Sequence, residues 1–80
     1  MQTQFSTDRD KGTWDGGCTK GRAIAARHLA AEDFAGYYEI LCEYQDLNSR
    51  TPSAYYAGFI AGCRAAMRDY TTAVGKAVAA

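Results

Sequence analysis

Glu32, Asp33, Glu39, Glu43 and Asp46 lie between residues 32 and 46 with no Lys or Arg among them. At roughly 100° per residue, Glu32, Glu39, Glu43 and Asp46 fall within about 60° of one another on a helix. A row of like charges costs some local stability and builds a negative field suited to a cation-rich partner. Tyr38 and Cys42 flank the row, and an exposed Tyr is a common anchor in binding surfaces. The bland alternative is a solvated helix face, although such faces normally mix signs. The chemistry predicted here is therefore binding, with Glu32, Asp33, Tyr38, Glu39, Glu43 and Asp46 as the partner-binding residues.

Other constellations are weaker. Arg22, Arg27, Arg64 and Arg68 would hold phosphates if the helices brought them together; otherwise they pair with acids on neighbouring helices. Gly58 and Gly62, four apart, allow close helix approach, either within the chain or as a self-association face. Cys18, Cys42 and Cys63 form an odd set without a CxxC, and His28 is the lone histidine. That spacing does not make structural zinc, so no metal and no cofactor is expected. The thiols read as free in a reducing cytoplasm, with Cys18, in a glycine-rich stretch, the candidate for an intermolecular disulfide. Catalysis finds no support, because a nucleophile needs a base within reach and His28 reads as a half-buried helix residue. Asp8-x-Asp10-x-Gly12 lacks the further oxygen ligands of a calcium loop. Gly16 to Gly21 lacks the spacing of a phosphate loop.

These residues need a scaffold, and 80 residues allow one small domain. The chain is 48% hydrophobic with a formal net charge of zero, a composition that is globular and unlike a general nucleic-acid binder. No run approaches a membrane span, and no export signal follows Met1.

The pattern predicts an all-α fold, a small three-helix domain with a helical hairpin and an extended N-terminal arm. The arm covers 1–18, where Asp and Gly favour turns. Gln2–Thr7 alternates weakly, and Phe5 and Trp14 would dock on the body. The helical domain covers 19–80, with helices over about 19–31, 32–48 and 52–74. In the second, Phe34, Tyr37, Ile40, Leu41, Tyr44 and Leu47 share a face, and Glu32 and Asp33 occupy the first turn. In the third, Thr51 would cap and Pro52 would take the first helical position. Tyr56, Phe59, Ile60, Cys63, Met67, Tyr70 and Val74 form its core stripe, and the tail from Gly75 to Ala80 should fray.

The stretch Tyr55-Tyr56-Ala57-Gly58-Phe59-Ile60-Ala61-Gly62-Cys63-Arg64-Ala65-Ala66 resembles helices of small phage and mobile-element proteins. With its size, its lack of enzyme motifs and its acidic stripe with tyrosines, the whole chain resembles anti-CRISPR proteins. The Ala/Arg-rich composition points to type I systems. The resemblance implies a non-enzymatic inhibitor in the bacterial cytoplasm that binds a CRISPR–Cas effector and blocks target DNA. The class has no common motif, so it transfers no residue. Zero net charge departs from the strongly acidic DNA mimics and leaves a local acidic contact. The alternatives are a small nucleic-acid-associated phage regulator using the four arginines and an assembly protein dimerising through Gly58 and Gly62.

Overall fold

The computed structural model describes residues 8–79. They form three helices, α1 (Asp8–Ala30), α2 (Phe34–Arg50) and α3 (Ala54–Ala79). The all-α class and the three-helix count agree with the pattern. The hairpin is present too: Phe34 meets Tyr70, and Tyr44 meets Tyr56 and Phe59, so α2 runs antiparallel to α3.

The arm expected over 1–18 is corrected in its second half. Residues 8–18 are the opening turns of α1, whereas Gln2–Thr7 and Phe5 lie outside the described residues. The glycines read as turn formers are the reason. Gly17 faces the Tyr55 carbonyl and Gly21 the Phe59 carbonyl, while from α3 Gly58 faces the Trp14 carbonyl and Gly62 that of Cys18. A methyl group at any of the four would overlap that oxygen. Glycine costs about 1 kcal/mol per helical position, but here two pairs spaced four apart let backbone pack on backbone. Trp14 pairs with Gly58 and Cys18 with Gly62, so both helices ascend together and α1 is parallel to α3.

Gly58 and Gly62 are therefore internal. The self-association face expected there is buried by α1, and the assembly reading that depended on it is withdrawn.

The helix joints follow local hydrogen bonding. Glu32 N donates to Leu29 O at 3.0 Å and Asp33 N to His28 O at 2.8 Å. This is a Schellman ending, with Glu32 at φ 56° in the place glycine usually takes. Asp33 then caps α2, its side chain accepting from Gly36 N at 3.0 Å. Neither acid lies inside the first turn of α2. At α3 the cap is Ser53, not Thr51: Ser53 Oγ accepts from Tyr56 N at 3.0 Å. Thr51 instead closes α2, its N–H donating to Leu47 O.

The core is Ala25 and Leu29 of α1, Tyr37 and Leu41 of α2, and Phe59, Cys63 and Ala66 of α3. Tyr44 stacks on Phe59 at 3.7 Å between centroids. Tyr37 Oη donates to Cys63 O at 3.2 Å across the core. Val74, placed in the stripe by its spacing, is 42% exposed. The helix of α3 extends through the tail to Ala79. Among the described residues no helix is long and apolar enough to cross a membrane.

Candidate partner-binding face

The outward side of α2 carries Tyr38, Glu39, Cys42, Glu43 and Asp46, all exposed. Helical spacing produces it: Tyr37 and Leu41 bury the opposite side, which leaves 39, 43 and 46 pointing to water.

The predicted residues do not form one continuous ridge. Asp33 is taken up by the α1–α2 joint, where it caps α2 and meets His28 Nδ1 at 3.0 Å. The Gly36 N–H, and then His28, hold its carboxyl below the ordinary value of 3.8. A Cβ at Gly36 would overlap the Asp33 carboxylate and come within 2.7 Å of His28 Nδ1, so a side chain there would have to displace the clasp. Asp46 pairs with Arg50 one turn later, and that partner raises the Arg50 pKa. Glu32 stands in the joint, apart from the face of α2.

Glu39 and Glu43 remain. One turn apart, they have no ion-pair partner among the described residues. Tyr38 beside them is 54% exposed, its ring edge-on to Tyr37 at 5.0 Å. The site is therefore Tyr38, Glu39 and Glu43, with the Cys42 thiol alongside.

The arginine constellation is also corrected, because the four do not converge. Arg22 pairs with Asp69 at the α1–α3 seam. Arg64 and Arg68 lie roughly 100–140° around α3 from Asp69, and Arg27 lies about 200° around α1 from buried Ala25. All are exposed, and only Arg64 and Arg68, one turn apart, share a face of α3.

The thiols are free, with Cys18 half-buried, Cys42 exposed and Cys63 buried. Cys18 is thus not the most accessible: it lies in α1 with its carbonyl under Gly62. Desolvation pushes Cys63 up to about 11, and its Sγ lies 3.7 Å from Gly21 O. Burial likewise raises the Tyr37 and Tyr44 phenols.

A cleft of about 260 Å³ opens between α1 and α3, lined by Ala26, Leu29, Ala30, Ala66 and Tyr70 with Arg22 and Asp69 at its edge. Sequence reasoning missed both this cleft and the His28–Asp33 clasp. The clasp had a signal, a histidine and an aspartate five apart across the expected break after Ala30.

Compared with known protein families, curated proteins and solved structures, the chain matches none.

Proposed function

We propose that this chain is a non-enzymatic binding protein that docks the outward face of α2 onto a cation-rich surface of a larger complex. The observation that carries the proposal is the pair Glu39 and Glu43, exposed and without a cation among the described residues. Arg22 and Arg50 are held by Asp69 and Asp46 instead. Tyr38 supplies the apolar contact that charges at an interface rim lack.

In its specific form, the target is a CRISPR–Cas effector and the contact occupies a surface on which DNA phosphates dock. Two free carboxylates with a tyrosine suit one local contact and not imitation of a phosphate row. The regulator reading is weaker, because its four arginines do not converge: Arg22 is held by Asp69 at the α1–α3 seam, which leaves Arg64 and Arg68 as one adjacent pair.

The test is binding to a purified type I effector complex by biolayer interferometry, with target DNA as competitor. Each rim charge pair contributes about 0.2–1 kcal/mol, and reversal adds repulsion, so Glu39→Lys with Glu43→Lys should weaken binding by about tenfold or more. Circular dichroism should be unchanged. Wild-type binding by the double variant, or no binding by the wild type, overturns the proposal.

A further inference from the structure

The side of the α2–α3 hairpin turned away from α1 has an apolar middle and charged edges. On α3, Ile60, Arg64 and Met67 fall within about 60° of one another, opposite Gly58 and Gly62, which meet α1. On α2, Tyr38 and Cys42 lie about 120–160° from Gly36, which meets His28 of α1. Ile60 and Met67 are half-buried, whereas Tyr38, Cys42 and Arg64 are exposed. Burial raises the Tyr37 phenol, and the Arg64 guanidinium nearby works against that rise, so this charge stands beside the α2–α3 seam. Glu39 edges the surface on α2, and Arg64 and Arg68 edge it on α3. None of the three has an ion-pair partner among the described residues. Phe34 meets Tyr70 and Tyr44 meets Phe59. Counted inward from either contact, Glu39 stands level with Arg64. The two do not pair within the chain, because Tyr38 is turned toward this seam and Glu39 lies about 100° further round α2.

We propose that this side is a self-association surface, on which a second copy of the chain docks about a twofold axis running along the bundle. Such an axis lays each α2 against the other copy's α3 without changing level. Glu39 of each chain then meets the other copy's Arg64, with Arg68 one turn away. The two charged edges enclose Tyr38, Ile60 and Met67 of both copies, and Glu43, about 100° round α2 from Cys42, stays outside. Charge complementarity selects this occupant: the acid and the cations left unpaired in one chain are those the symmetry brings together. Arg22, Arg50, Asp46 and Asp69 are paired at home and take no part. The inference rests on the α2 reading above and adds regulation to it. Tyr38 and Glu39 belong to both contacts, so the dimer withholds the face from a cation-rich partner, and dilution or that partner releases it.

Sedimentation velocity over a concentration series, with no target present, tests this. The contact is small, so a dimer with a dissociation constant of about 10–100 µM is expected. Arg64→Glu with Arg68→Glu should weaken it by about tenfold or more, and so should Glu39→Arg. The three changes together restore opposite charges across the axis and should restore the dimer. Tyr38→Ala should weaken it by about tenfold, and Glu43→Lys alone should leave it intact. Circular dichroism should be unchanged in each variant. A chain monomeric throughout overturns the proposal, as does a dimer insensitive to the arginine changes, a triple variant that stays monomeric, or an assembly larger than two. Effector binding by a chain that never dimerises would sink this inference alone. A dimer with these sensitivities that binds no effector would sink only the α2 docking reading.

Discussion

Gly62 packs directly on the carbonyl of Cys18, and no side chain fits between them. Three neighbouring glycines repeat the arrangement along the α1–α3 seam. The seam is thus held by main-chain proximity, and only residues without a Cβ permit it.

Alanine at Gly17, Gly21, Gly58 or Gly62 should therefore destabilise the fold, each by about 1–3 kcal/mol, from overpacking. Gly16 and Gly75 are controls, because a Cβ there meets nothing within 4 Å. Alanine at either should stabilise by roughly 0.5–1 kcal/mol. Urea denaturation of the six variants checks the reversal of sign.

Glu32 occupies the left-handed position of the α1 ending at φ 56°. Glu32→Gly removes a cost of about 1–2 kcal/mol, partly offset by glycine's greater freedom when unfolded. A net gain of roughly 0.5–1 kcal/mol is expected from thermal or urea unfolding.

Asp33 gives the acid limb of stability a definite sign. The Gly36 N–H and His28 lower its folded-state pKa below 3.8, so the unfolded chain binds this proton first. The contribution is fully present above the unfolded value and is lost as pH falls through the folded one. Asp33→Asn keeps a capping side chain and should flatten this part of the profile. Urea midpoints measured from pH 5 down to about pH 2 should converge for the two proteins at the acid end.

The thiols should separate by burial. Cys42 is expected to react first with an aromatic disulfide reagent, Cys18 more slowly, and Cys63 only on unfolding, since Cys63 is buried with its pKa pushed to about 11. Single Cys→Ser variants assign the phases. A rapid Cys63 phase in the folded protein would contradict the core described above.

Much of this fold is legible in the residue pattern. The stripes through Tyr37 and Leu41 and through Phe59 and Cys63 place two helices, and the Thr51-Pro52-Ser53 break makes them a hairpin. Which hydroxyl caps α3 was not legible, because Thr51 and Ser53 both satisfy the local rule and only the path of the chain chooses. The start of α1 was hidden for a related reason. Gly16 and Gly17 have turn propensity, and what overrides it is a matching glycine pair some forty residues later. For the binding face, the wheel showed which carboxylates reach water but not which would find a cation. Arg50, one turn from Asp46, was the missed sign there, and His28 was the other.

Backbone packs on backbone between positions more than half the chain length apart, Trp14 with Gly58 and Cys18 with Gly62. Small helical bundles ordinarily fold fast because their contacts are local. This one has to reverse direction twice before these surfaces meet, so slower folding than in a bundle of local contacts is expected. A protease nick at either turn would turn the joining of α1 and α3 into an encounter between separate fragments.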